Sequence, residues 1–333
     1  MAGNVLHKGI SGKMEKMPVT DSASPFPAES PVNKEASSIY KSLIEELEVV
    51  FEHISEKEPV EPQIIDGIAD TLIHGLNKHR DAFVNFVLLG EISEEGLAKS
   101  SVNCAILSAL IAKELGIGEQ KITEIVLGAL LHDIGMLRLP SSILEKKGTL
   151  SNTELAVMKS HPDFGAKIAI KELSCPKKIS FIIKEHHERW DGQGYPDNIA
   201  GAVIYPEARI ISVADAFEAM LSRKPYRAPM ASYEAIKNLL ADNSRRFDPD
   251  ILKVFTKVMG IYPVGSIVLL SNGAYGKIEK IRDISLRPKV KLLKNTSGKT
   301  KNSGEDEIVD LLFDKKLYIV KGVGPKEFAE KNT

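Results

Sequence analysis

From Ile39 to about Phe86 the apolar residues recur at helical spacing, as in Leu43, Leu47 and Val50 and later in Ile65, Ile68 and Leu72. This period predicts two or three helices forming a helical part over residues 37–90. The same period continues from about Glu91 to Met259. SVNCAILSALIAKELG is nearly all apolar and should stop at Gly116, and EIVLGALLHDIG should stop at Gly135. TELAVMKSH follows Ser151 and Asn152, either of which suits a helix N-cap, and ARIISVADAFEAML is a further apolar helix. After Ile261 the period shortens. GSIVLLSNGAYGKIEKI places Asn272-Gly273 between two β-rich runs, the strongest short-range hairpin signal, and PKVKLL and KLYIVK read as further strands around the polar loop NTSGKTKNSGED. The expected architecture is an all-α domain over residues 91–260, with the helical part before it and a small antiparallel β appendage over residues 261–325.

Residues 1–36 hold Pro18, Pro25, Pro27 and Pro31 with one aromatic and no period, and read as a disordered tail. MAGNVLHKGISGKMEK has no apolar stretch of signal-peptide type, and no uncharged apolar run reaches the ~18 residues a membrane helix needs. A soluble, cytoplasmic protein without membrane contact is expected. At 333 residues with 43% hydrophobic content, the chain suffices for two domains, or for one domain with appendages. Its 44 basic and 45 acidic residues leave a net charge of −1, so bulk nucleic-acid binding is not expected, whereas a pocket for a small anion is unconstrained. Cys104 and Cys175 provide neither a disulfide framework nor a CxxC spacing, and Cys104 sits in an apolar run that suits a buried structural thiol.

The chemistry concentrates in HHERWDGQGYP, from His186 to Pro196, downstream of His132-Asp133 and His161 and upstream of Asp215. Taken alone, His132-Asp133 is a helix end reaching solvent. Together with the others it changes meaning, because four of the eight histidines fall between positions 132 and 187. His161-Pro162 is a helix-breaking step, and Arg209, Ser212, Asp215 and Glu218 form an i, i+3 polar stripe on an apolar helix that should face a polar cavity. Imidazole and carboxylate donors together suit one or two divalent transition metals, Fe or Mn ahead of Zn or Ni. Two ions about 3.5–4 Å apart clamp both oxygens of a phosphoester displacement. The residues by themselves therefore point to a one- or two-metal phosphohydrolase in a helical domain.

His132-Asp133-Ile134-Gly135, His161, His186-His187-Glu188, Asp191-Gly192-Gln193-Gly194-Tyr195-Pro196 and Asp215 resemble the HD-GYP family of the HD superfamily, over about half the chain. The resemblance implies a cyclic di-GMP phosphodiesterase that uses a metal-bridging hydroxide to give the linear dinucleotide or GMP. It implies that Asp133 bridges two metals, that His132 and Asp215 serve the first, and that His161, His186 and His187 serve the second. It puts Tyr195 and Gly194 beside the ligand, with Lys224 and Arg227 facing its phosphates. Lys224 replaces an arginine there, keeping the charge and losing the bidentate fork.

Three positions depart from the family pattern. Ser100 stands where the family has a ligand histidine, Gly96 where three-metal members have a glutamate, and Met136 where the motif has a lysine. Losing a direct ligand nitrogen should weaken metal affinity at least as much as the ~10–100-fold of an indirect change. Met136 cannot donate to a phosphoryl oxygen, and one lost donor removes about 3–4 kcal/mol of transition-state stabilisation. His74, His79, Glu94 and Glu95 are the nearby groups that could substitute as ligands, although a solvated surface role is the default for each. Trp190 and Phe217 are expected to pack rather than stack on a base. The leading expectation is a weakened phosphodiesterase. Its rival is an inactive module that binds cyclic di-GMP or GGDEF-type partner proteins, and a homodimer is compatible with either. A generic HD hydrolase for another nucleotide is disfavoured by the GYP loop.

Overall fold

The structure, a computed structural model, describes residues 31–89, 96–146, 148–222, 229–241, 245–280, 287–293, 307–324 and 328. Its helices are α1 (Pro31–Glu56), α2 (Pro62–Lys78), α3 (Arg80–Leu89), α4 (Leu97–Glu114), α5 (Glu119–Leu131), α6 (Ser141–Leu144), α7 (Asn152–Met158), α8 (His161–Lys171), α9 (Lys177–Glu185), α10 (Pro206–Leu221), α11 (Ser232–Ala241) and α12 (Pro249–Met259). A 3-10 turn spans Ile134–Arg138, just after α5.

The first helix corrects one sequence expectation. It starts at Pro31, inside the segment read as a tail, and its buried stripe already begins at Ala36 and continues through Tyr40, Leu43 and Leu47. The prolines misled there because proline is tolerated in a helix's first turn, where its missing N–H would have no intrahelical partner. Ser151 caps α7 with a full capping box: its Oγ accepts from Glu154 N, and Glu154 Oε2 accepts from Ser151 N.

One apolar core runs from Ala36 to Met259, so α1–α3 share it with the later helices. Its centre is α4, buried almost continuously from Ser101 to Ala112 and packed against α1, α5, α10 and α12. A helix that is apolar on all sides fits only such a central place. Among the described residues no helix is long and apolar enough to cross a membrane.

The C-terminal strands are β1 (Ile267–Leu270), β2 (Tyr275–Lys280), β3 (Lys289–Leu292), β4 (Ile308–Asp310) and β5 (Ile319–Val323), in the antiparallel order β4-β3-β2-β1-β5. They enclose a separate core of Val268, Leu270, Ile278, Val290 and Leu311. The hairpin forms at Asn272-Gly273, where Gly273 takes φ 83° and its N–H donates to Leu270 O at 2.9 Å. Two details differ from the sequence reading. KLYIVK enters the sheet only from Ile319, and β4 was not anticipated, because three residues are too few to carry an alternation. The sheet sits on the helical body through the stacked rings of Tyr233 and Tyr262, 5.4 Å apart, and through a Lys280–Asp81 ion pair at 2.7 Å.

Candidate metal centre

Three helix ends and one helix middle bring the polar cluster together. His132 is the residue that closes α5, His186 closes α9, His161 opens α8, and Asp215 lies within α10. The step His161-Pro162 does not only break a helix: Pro162 falls in the first turn of α8.

Three of the imidazoles are oriented in the same way. His132 Nδ1 donates to Ala129 O at 2.7 Å, His161 Nδ1 to Met158 O at 2.9 Å, and His186 Nδ1 to Ile183 O at 2.6 Å. Each carbonyl belongs to the end of a preceding helix, where it lacks an intrahelical partner. A carbonyl can only accept, so Nδ1 carries a ring proton and Nε2 is turned inward. Those nitrogens converge on one carboxylate. His161 Nε2 is 3.0 Å and His186 Nε2 3.7 Å from Asp133 Oδ1, and the two nitrogens are 3.5 Å from each other. His132 Nε2 lies 3.4 Å from Asp133 Oδ2 and 3.7 Å from Asp215 Oδ1, while His187 Nδ1 is 3.8 Å from Asp215 Oδ2. Single donor atoms of Asp133, His161, His186 and His187 all fall within 4.8 Å of one another.

The charge balance is that of a cation site. Burial pushes the His186 imidazole below its ordinary range, and burial with His186 alongside pushes His187 well below, so both are neutral near pH 7. Burial alone would lower His132 and raise Asp133, but their mutual attraction overrides it, carrying His132 well above and Asp133 well below the ordinary ranges. Burial would also raise Asp215, yet His132 and His187 hold it at about 2. His132 Nε2 and Asp133 Oδ1 are buried without a hydrogen-bond partner. Converging imidazole nitrogens and carboxylate oxygens, some of them without a hydrogen-bond partner, are what a divalent cation would satisfy, so the residues fit the metal that the family resemblance implies.

The loop after His187 is fixed from within. Gly194 admits no side chain, since a Cβ would stand 2.4 Å from Arg189 N. Glu188, buried, accepts from Asp197 N at 2.6 Å, and Arg189 grips Asp191 through Nε at 2.9 Å and an Nη at 2.7 Å. The Tyr195 ring is thereby laid 4.7 Å from His187, with Lys159 Nζ 5.3 Å from its centroid. Lys159 was not singled out in the sequence, where nothing separates it from other surface lysines.

The expected polar stripe on α10 does not face one cavity. Arg209 turns to Asp248 at 2.8 Å and lies over Trp190, Ser212 donates to Arg209 O, Asp215 enters the cluster, and Glu218 turns to α4. Spacing of i, i+3 drifts around the helix, so four such residues span half its circumference. Ser100 Oγ donates to Glu218 Oε2 at 2.5 Å, Gly96 lies beside Glu48, and Met136 is half-buried in the 3-10 turn. His79, expected at the surface, is buried, with Nε2 3.3 Å from Glu35, while His74 is exposed. Lys224, Arg227, Glu94 and Glu95 lie outside the described residues. Phe217 packs on Phe255.

Comparison with known proteins shows the family. The HD domain family matches residues 87–251, and the family described as a KOW domain associated with HD domain matches residues 267–331. Cyclic di-GMP phosphodiesterase PA4108 of Pseudomonas aeruginosa is 30% identical over 299 residues, covering 89% of this chain and 71% of that protein. Cyclic di-GMP phosphodiesterase PdeB of Borreliella burgdorferi is 31% identical over 249 residues, covering 75% of this chain and 65% of that protein. Among solved structures, Bd1817, an HDG"Y"P protein from Bdellovibrio bacteriovorus, shares the fold with a TM-score of 0.53 at 22% identity, over 72% of this chain and 74% of that one.

Proposed function

Because the chain belongs to the HD-GYP family of HD-domain proteins, we propose that it is a metal-dependent phosphodiesterase that hydrolyses cyclic di-GMP. The observation that carries this reading is the convergence of His161 Nε2, His186 Nε2 and Asp133 Oδ1 in a buried pocket. On this reading Asp133, His161, His186 and His187 hold one cation, and Asp133 with His132 and Asp215 holds a second. Bound cations would supply Lewis acidity toward a phosphoryl oxygen and a coordinated water acidic enough to act near neutral pH.

The protein's own groups do the rest. The Nδ1–H donations to Ala129, Met158 and Ile183 keep the imidazoles aimed inward, so no reorganisation is needed when a ligand arrives. The rigid loop at Gly194 and Tyr195 forms a wall beside His187, and Lys159 adds positive charge near Tyr195 for a dinucleotide phosphate. Lys224 and Arg227 serve the phosphates in the same reading. Met136 brings no donor to the position where the family motif carries a lysine, so turnover is slow. The leading reading is tested by measuring metal content per chain beside cyclic di-GMP turnover. Two metals with turnover that disappears in His186→Ala support it. Metal binding without turnover, restored by Ser100→His with Met136→Lys, would replace it by the binding-module reading.

A further inference from the structure

Glu218 lies on α10, three residues after Asp215, with 1% of its surface exposed. Its carboxylate accepts from Ser100 Oγ at 2.5 Å, from Ser222 Oγ at 2.5 Å and from Asn103 Nδ2 at 3.4 Å. All three donors are neutral, and among the described residues no Lys, Arg or His pairs with it. A buried carboxylate without a cation is among the least favourable arrangements in a protein interior. Residues three apart on a helix are neighbours, so Glu218 borders the same wall as Asp215. Ser100 has no imidazole nitrogen to offer a metal, and its hydroxyl proton is directed at Glu218.

Resting on the metal-centre reading above, we infer that Glu218 supplies the carboxylate that completes the cation position formed by His132, Asp133 and Asp215. That position then offers one nitrogen and three carboxylates, against three nitrogens and one shared carboxylate on the other side. Carboxylate-rich sets suit Mn2+, and imidazole-rich sets suit Fe2+, Zn2+ and Ni2+, so the two positions differ in metal preference. Tyr40 on α1 is a positioning residue: its hydroxyl donates to Asn103 Oδ1 at 2.6 Å, which turns the amide NH2 of Asn103 toward Glu218.

The test uses the full chain stripped with a chelator and titrated with Mn2+, with free ion followed by electron paramagnetic resonance. The parent protein should bind two Mn2+ with distinct affinities. Glu218→Gln keeps the shape and loses the charge, and should weaken only one of the two by about 10–100-fold. It should also shrink the Mn2+-induced rise in Tm without lowering the Tm of the metal-free form, which a merely structural glutamate would not do. Two unchanged Mn2+ affinities in Glu218→Gln, or a single ion in both proteins, would overturn the inference alone. Absence of any bound metal in the parent would overturn the metal-centre reading beneath it. If Glu218→Gln fails to fold, Glu218→Asp is read instead: its shorter reach should weaken the same Mn2+ step, and an unchanged step overturns the role.

Discussion

A Cβ added to Gly135 would stand 1.9 Å from the main-chain oxygen of His161 and 2.5 Å from the amide nitrogen of Gly165. The turn that follows His132-Asp133 therefore lies directly on the start of α8, and this contact sets the distance between Asp133 and the His161 imidazole. Neither neighbour is a flexible side-chain end, so the backbone itself would have to move. Gly135→Ala should destabilise the fold by about 1–3 kcal/mol, as overpacking does, and should lower metal content more than the stability loss explains. Urea unfolding beside metal analysis checks this, and an alanine variant that is stable and fully loaded would contradict it.

Metal loading should release protons. In the metal-free protein the Asp133 carboxylate holds the His132 imidazole well above its ordinary range, so His132 keeps its proton at neutral pH. A cation needs the Nε2 lone pair, so binding expels that proton, about one per chain. The sign follows: affinity rises with pH through the neutral range and falls on acidification. Calorimetry in two buffers of different ionisation enthalpy measures the release, and none at pH 7 would remove His132 from the ligand set.

The Arg209–Asp248 pair, 17% and 8% exposed, anchors α10 to α12 beneath Trp190. Removing one partner leaves a largely buried charge alone, which typically destabilises by about 3–5 kcal/mol. Arg209→Ala should show that loss. It should also shift the fluorescence of Trp190, the chain's single tryptophan, because the guanidinium lies 5.7 Å from its ring centroid. An unchanged emission spectrum would mean the stacking is not kept in solution.

Met136→Lys should raise kcat for cyclic di-GMP by about tenfold or more, since one donor aimed at developing charge is worth on the order of 10²–10³ in well-studied sites. Substrate binding, read from KM, should change less. Equal kcat in the two proteins would place position 136 away from the reacting phosphoryl group.

Helices α4, α5, α7 and α10 and the Asn272-Gly273 hairpin were legible because helical period, caps and turn chemistry are local properties of a few adjacent residues. The HD, HH and GYP residues were legible for a different reason. Histidine beside aspartate inside apolar helices is hard to explain without a polar site. The start of α1 and strand β4 were not legible, since proline suits both a tail and a first helical turn and three residues show no period.

The sequence by itself determined the residue types of the centre and the family they belong to. Tertiary structure alone decided how those residues are used. The Nδ1 bonds that orient three imidazoles are local, each to a carbonyl three residues earlier, but the meeting of those imidazoles at Asp133 depends on helix packing, and the approach of Gly135 to His161 depends on α8 packing on the turn after α5. The Ser100–Glu218 bond joins positions 118 residues apart. No local pattern encodes such a pair, because it exists only when the apolar faces of α4 and α10 close on each other.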